Sequence, residues 1–278
     1  MKAFTPDRIR NVALVGPPGS GKTSLAEAML YRAGAIPRAG NVEDGSTVCD
    51  HEPEEKASGH SLTTALAVLE WQGHKINLLD TPGTFDFAGE AVGAVFAADL
   101  AVFVVDASSG LDHATVVLWR QAAEHGTPRL VFVNKLDREH ANFESVLAEL
   151  QDAFGSGVAP LEIPIGEAEA FHGIADLLTD KAWIYDSGHA ELGEIPEEME
   201  AREAQIHESL VENIVGADDD LLERYLGGDV PSVEELEKVL GKGVALGNVF
   251  PVVCGSATIP IAVDRLCNYI VEVGPSPL

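Results

Sequence analysis

The sequence predicts an α/β protein, a doubly wound and mostly parallel sheet that carries a smaller α+β insert. Through the first 160 residues, short apolar runs alternate with stretches patterned as helices. Two of those runs, 100–105 and 130–133, are continuously apolar, as strands buried on both faces are. Beyond residue 160 the composition changes: residues 160–240 hold 22 acidic side chains against four basic ones, −18 of a net charge of −27. Such an asymmetry marks a boundary. The expected organisation is a main domain over residues 1–155 and 247–278, interrupted by an acidic subdomain over residues 156–246.

Each element follows from local pattern. Residues 11–15 are a short apolar strand ending in a glycine-rich turn, and residues 22–33 carry Leu25, Met29 and Leu30 on one helical face. Residues 37–59 are polar, aperiodic and too long for an ordinary connection, which makes them functional or mobile. Residues 62–71 alternate as a strand, 75–79 follow as its neighbour, and Gln72-Gly73-His74 reads as the hairpin turn between them. Helical stretches at 114–124 and 142–154 follow the two continuous strands. In the acidic part, Pro196 and the acids after Ile195 suit a first helical turn, and Ile206, Leu210 and Ile214 recur at spacing four. Pro231-Ser232-Val233-Glu234-Glu235 opens a further helix in the same way; 249–253 is the last strand and 261–271 the closing helix.

Composition narrows the class further. At 46% apolar and 23% charged residues the chain has an ordinary globular core and is not a disordered tail. The longest apolar stretch is broken by Asp99, so no membrane span is expected, and the charged first ten residues do not read as a signal peptide. Three scattered cysteines, Cys49, Cys254 and Cys267, suit reduced thiols and a cytoplasmic location. The histidines lack zinc-ligand spacing with them. So acidic a chain is a poor binder of phosphate backbones, and no direct sequence-specific nucleic-acid binding is expected. Trp71, Trp119 and Trp183 read as core anchors rather than stacking platforms. The acidic surface suits either simple solvation or a basic partner.

Four motifs carry chemistry. Gly16-Pro17-Pro18-Gly19-Ser20-Gly21-Lys22-Thr23, with Ser24 behind it, matches the phosphate-binding loop between a strand and a helix. Its glycines turn backbone N–H groups toward phosphate oxygens, and the helix points its positive end at them. Lys22 would reach the terminal phosphates and the Thr23 hydroxyl would ligate magnesium. Asp80-Thr81-Pro82-Gly83 ends the strand at 75–79; there Asp80 can hold magnesium through a water, and the Gly83 N–H can approach the terminal phosphate. Asn134-Lys135-Leu136-Asp137 follows the strand at 130–133, where the Asp137 carboxylate matches the two donors on guanine that adenine lacks. Gly255-Ser256-Ala257 follows the last strand and would offer backbone N–H groups to the guanine oxygen. Together they predict a GTP- and GDP-binding domain with magnesium.

In these motifs, with Asp86-Phe87, Arg138 after Asp137 and Cys254 before Gly255, the chain resembles translational GTPases, closest to the elongation factor G family. The likeness spans the whole chain and includes the acidic insert, opening with Ile163-Pro164-Ile165-Gly166, Phe171-His172-Gly173 and Asp176-Leu177. It implies a P-loop GTPase domain with its insert, followed in such factors by a second domain at about Gly274-Pro275-Ser276-Pro277-Leu278. It also implies a monomer working in translation on the ribosome, with the large-subunit stalk protein as partner and no membrane. The chain departs from the family in three places. Gly19 stands where Asp is usual, with Pro17 and Pro18 for His and Ile. Gly59-His60-Ser61-Leu62 replaces Gly-Ile-Thr-Ile, so Ser61 keeps a hydroxyl for magnesium. Thr84 replaces the water-orienting histidine. The resemblance therefore implies a divergent paralogue in which Lys22, Gly83 and Thr84 form the catalytic set and hydrolysis is slow. A nucleotide-binding regulator without useful hydrolysis and a ribosomal protection factor are the alternatives.

Overall fold

The computed structural model describes residues 3–186 and 189–278. Its large sheet is built from β1 (Ile9–Val15), β2 (Ala65–Trp71), β3 (His74–Asp80), β4 (Leu100–Asp106), β5 (Arg129–Asn134), β6 (Val158–Pro160) and a late strand, β11 (Phe250–Cys254). They lie in the order β2-β3-β1-β4-β5-β11-β6. All neighbours are parallel except the β2–β3 hairpin, whose turn residues Gln72 and Gly73 both have positive φ, 44° and 77°. That is the geometry whose twist suits a two-residue hairpin. In β4 six of the seven residues are buried, and in β5 all six are, because helices cover both faces. The flanking β2 instead alternates, with Leu66, Val68 and Glu70 exposed.

Helices α1 (Lys22–Arg32) and α9 (Val263–Glu272) pack on each other and on β2, while α3 (Ala88–Ala97) lies against β1 and α4 (His113–His125). Helix α5 (Phe143–Phe154) opens on the Asn142 side chain, which accepts from the Ser145 N–H at 2.9 Å. Trp119 of α4 is a core anchor: it is buried, stacks on Phe154 at 3.9 Å and meets Phe250 edge-on at 5.0 Å. Such contacts contribute about 0.5–1.5 kcal/mol each beyond burial. Trp71 and Trp183 are only half-buried; Trp71 donates its indole N–H to Asn268 at 2.7 Å.

The acidic segment holds a second, antiparallel sheet in the order β10-β9-β8-β7, made of β7 (Glu162–Ile165), β8 (Gly173–Asp176), β9 (Lys181–Asp186) and β10 (His189–Gly193). Helices α6 (Glu200–Val215), α7 (Asp219–Leu226) and α8 (Val233–Ala245) follow. Pro196 precedes a single 3-10 turn at Glu197–Met199 before α6 begins, and Ser232 and Glu235 form a reciprocal capping box at the start of α8. Strand β6 lies within the acidic segment by sequence yet extends the large sheet through β11.

Some elements differ from the sequence reading. The aperiodic stretch 37–59 contains α2 (Pro53–Ser58), a six-residue helix with Pro53 at its first position and Gly59 closing it at φ 67°. The strand expected from 62 starts at Ala65, because the Leu62 and Thr63 amides turn to Glu55 Oε1, at 3.0 and 3.3 Å, and the Thr64 amide to Glu90. Apolar residues 91–97, to which the sequence assigned no element, form the end of α3.

The two sheets meet at a buried ionic cluster. Arg265 of α9 bonds Asp176 of β8 and lies 3.6 Å from Glu162 of β7, which is fully buried. Burial pushes the Glu162 carboxyl up to about 8, with Arg265 opposing. Two carboxyls thus share one guanidinium, and burial favours the protonated form of Glu162. A folded-state value raised above the ordinary 4.5 contributes stability that is full below about pH 4.5 and lost as pH rises through about 8. We expect Glu162→Gln to gain on the wild type in melting temperature between pH 6 and pH 8. Parallel curves would refute the protonated assignment.

Candidate functional site

Because β1, β3, β4, β5 and β11 run parallel, the loops after all five open on one edge of the sheet. The order changes direction at β1, between β3 and β4, and a crevice forms there. It is a cleft of about 690 Å³ lined by Pro18, Gly19, Gly21 to Ser24, residues 39–43, Asp50, residues 59–61, Gly83, Thr84, Asn134, Lys135, Arg138, Ala257 and Thr258.

At one end is the phosphate loop. A Cβ on Gly16 would stand 2.4 Å from the Val104 carbonyl, and Gly21 holds φ 93° directly before α1. Lys22, 6% exposed, donates to the carbonyls of Gly16 and Pro17 at 3.0 Å each. Burial lowers its ammonium to about 8, while Asp80 and Asp50 hold it up. A Cβ on Gly83 would come within 2.6 Å of both Lys22 Nζ and the Pro18 nitrogen. The loop after β3 therefore rests on the phosphate loop through that glycine.

The carboxyl of Asp80 is buried, and neither of its oxygens has a hydrogen-bond partner. Burial raises it to about 7 despite the Lys22 charge. An orphaned buried carboxyl of this kind is costly unless a cation or donor joins it. Beside it the Ser61 hydroxyl donates to Asp50 at 2.6 Å and stands 3.3 Å from the Thr23 hydroxyl. Two hydroxyls and two carboxyls form an oxygen-only donor set, which fits magnesium. Sequence pattern did not single out Asp50, because nothing in its spacing ties it to Thr23 or Ser61. Thr84 also lines the cleft, with its hydroxyl oxygen buried and unpartnered.

At the other end Asn134 and Lys135 join loops. Asn134 donates to the Ser20 carbonyl at 2.8 Å and accepts from the Ala257 N–H at 3.0 Å. Lys135 donates to Asp106 at 2.6 Å and to the Gly19 carbonyl at 2.5 Å. Asp137 is different: its Oδ1 is buried without a partner, and its Oδ2 lies 3.8 Å from Arg138 Nε. The Ser256 N–H, expected to face the base, bonds the Ile261 carbonyl at 3.1 Å, so both it and the Ala257 N–H are engaged within the protein. Ser20 is buried behind the loop with its hydroxyl unpartnered. Cys254 is buried just before this loop, and burial raises its thiol well above the ordinary value, as suits a packing residue.

The cleft thus has a cationic, amide-rich end at Lys22 and Gly83 and a second end at Asn134, Lys135 and Ala257; the carboxyls of Asp80 and Asp137 belong to these same loops but are not among the residues that line it. These are the features of a GTP-binding domain, and residues 7–276 match the family described as the elongation factor Tu GTP binding domain. The chain belongs to that family, the GTPase domains of translation factors. Among individual proteins, it is 38% identical over 269 residues to an elongation factor G-like protein of Thermotoga maritima, covering 97% of this chain and 38% of that one. It superposes on a crystal structure of a Thermus thermophilus protein with a TM-score of 0.93 at 39% identity, covering 98% of this chain and 41% of the other. The chain therefore spans about two fifths of the length of these relatives. The expected α/β fold and the resemblance to elongation factor G are both borne out. Among the described residues no helix is long and apolar enough to cross a membrane.

Proposed function

We propose that this chain is the nucleotide switch of an elongation factor G-like translation factor, binding GTP and GDP with magnesium and hydrolysing GTP slowly. The observation that carries the reading is a pair of carboxyls short of partners: Asp80, buried with neither oxygen hydrogen-bonded, and Asp137, whose Oδ1 is buried without a partner. In this reading the loop from Gly16 to Ser24, with Gly83, holds the phosphates. Thr23, Ser61 and Asp80 hold magnesium, which neutralises phosphate charge. Asn134, Lys135, Asp137, Ser256 and Ala257 form the base end. Lys22 neutralises charge that develops on the terminal phosphate, and the backbone of Gly83 registers its presence. Residues 37–60 and the segment after Gly83 are the parts that respond when that phosphate is lost. Titration calorimetry with magnesium tests it: GTP and GDP bind far more tightly than ATP, and equal affinity for ATP and GTP refutes the assignment.

Thr84 supports a second reading, a regulator read out by its bound nucleotide with no useful hydrolysis; single-turnover assays with and without ribosomes separate the two. We further place the factor in the cytoplasm as a monomer, with residues 1–155 and 247–278 as the GTPase unit and 156–246, apart from strand β6, as an acidic unit. The −18 charge of residues 160–240 suits a basic partner, by likeness to the family the ribosomal stalk protein. Electrostatic steering acts on association rate and fades with salt. Neutralising the exposed Glu197, Glu198 and Glu208 to Gln is expected to slow association several-fold at low salt and to leave it unchanged at high salt. An unchanged rate at low salt leaves solvation as the role of this surface.

A further inference from the structure

Glu27 lies on α1 one helical turn beyond Thr23 and is 1% exposed. It does not line the cleft, and among the described residues it makes no salt bridge. Its Oε2 accepts from the Gly40 amide at 2.8 Å, and its Oε1 accepts a short bond from the Val48 amide. These two amides bracket a lobe that is otherwise closed on itself. The Asn41 amide donates to the Ser46 hydroxyl at 2.9 Å, the Ser46 amide to the Asn41 carbonyl at 3.1 Å, and the Gly45 amide to the Val42 carbonyl at 3.1 Å. Gly40 is needed where it stands, since a Cβ there would lie 2.4 Å from the Ser46 carbonyl. The first residues of the lobe, Gly40 to Glu43, form part of the cleft wall.

A buried carboxyl without a cation is an expensive way to fill a helix position. Its yield is two strong main-chain hydrogen bonds to a segment 13 and 21 residues away. Thr23 and Glu27, four residues apart, lie on one side of α1. The first meets Ser61 beside Asp50, and the second holds the lobe, so one helix grips both ends of the segment 40–61.

We infer that Glu27 is a positioning residue that latches the lobe 40–48 against the cleft and so sets how long a guanine nucleotide stays bound. The inference rests on the nucleotide-binding reading above. Two carboxylate–amide bonds are lost in Glu27→Ala, and one acceptor is kept in Glu27→Gln. In stopped-flow measurements with a fluorescent GDP, dissociation from the Ala variant should be on the order of 10–100-fold faster, with association changed by less than about twofold and the Gln variant intermediate.

Hydrogen exchange on the nucleotide-free protein supplies a second readout. The Gly40 and Val48 amides should lose protection in the Ala variant while those of α1 and β1 keep theirs. Unchanged dissociation, or protection of those two amides retained without Glu27, overturns the latch; so does a fall in association alone. Should the Ala variant fail to fold, the Gln variant with faster dissociation and a wild-type melting temperature carries the same decision. Failure of the wild type to bind GDP would instead remove the nucleotide reading, whereas GDP bound by the wild type and released at the wild-type rate by both variants removes only the latch.

Discussion

Thr84→His is expected to raise the rate of ribosome-stimulated GTP hydrolysis by ~10²–10⁴-fold, the usual contribution of a positioned acid–base side chain. In phosphoryl transfer the protein works mostly by placing the attacking water and neutralising charge. The charge part is present: Lys22 is seated in the phosphate loop, and the backbone of Gly83 lies against it. What differs is reach. Thr84 has an extended backbone at φ −75° and ψ 142°, directly before the 3-10 turn Phe85–Phe87, and its side chain borders the cleft. Its hydroxyl sits on a short β-branched stem, several ångströms nearer the backbone than an imidazole nitrogen at the same position. That hydroxyl is buried and unpartnered, so a longer side chain there displaces no hydrogen bond. Single-turnover hydrolysis by wild type and Thr84→His, with GDP affinity as control, decides the matter. No gain from histidine, or a wild type as fast as a histidine-bearing relative, would mean another residue orients the water. His60, which lines the cleft, and Asp86 are then the positions to change next.

Asp137→Asn should weaken GTP binding by ~10²–10⁴-fold and transfer preference to xanthine nucleotides. The Asp137 side chain is 14% exposed, and its Oδ1 has no protein partner, so a donor that meets it displaces no existing bond. Guanine offers a ring N–H and an amino group side by side. Two charge-assisted bonds, each worth about 1.5–3 kcal/mol, account for the expected range. An amide at 137 places a donor against the guanine amino group and meets the carbonyl of xanthine instead. The arrangement around it stays fixed, because Asn134 and Lys135 are tied to Ser20, Ala257, Asp106 and Gly19. Competition between GTP, XTP and ATP for both proteins measures the exchange; an unchanged ranking excludes Asp137 as the base-reading group.

The large sheet and both ends of the cleft were legible because their determinants are local. The strands ending at Val15, Asp80 and Asn134 each run directly into a motif, and one direction of travel places all three loops on one edge. The small antiparallel strands were not read, since four- to six-residue strands such as Gly173–Asp176 give too little alternation to count. Helix α2 was hidden for a related reason, having one turn and a half and only Glu55 buried. Glu27, Asp50 and Glu55 escaped for a different one. Each is a carboxyl whose burial depends on amides or hydroxyls brought near by the fold, and in sequence each looks like an ordinary surface acid. Helix periodicity places Glu27 on a face but does not say that a loop will cover it.

The Arg265 cluster has a mechanical corollary. Glu162 accepts from the Cys254 amide at 3.2 Å while facing Arg265, and Asp176 holds the same guanidinium from the neighbouring strand. The small sheet is in this way riveted to the final strand and final helix of the large one. Tyr185 of β9 adds a third fastening, donating to Asp264 on α9 at 2.8 Å. The linkage ends at Cys254, one residue before Gly255-Ser256-Ala257. Of the loops that border the cleft, this one is therefore joined most directly to the small sheet, whereas the phosphate loop follows β1, on the far side of β4 and β5.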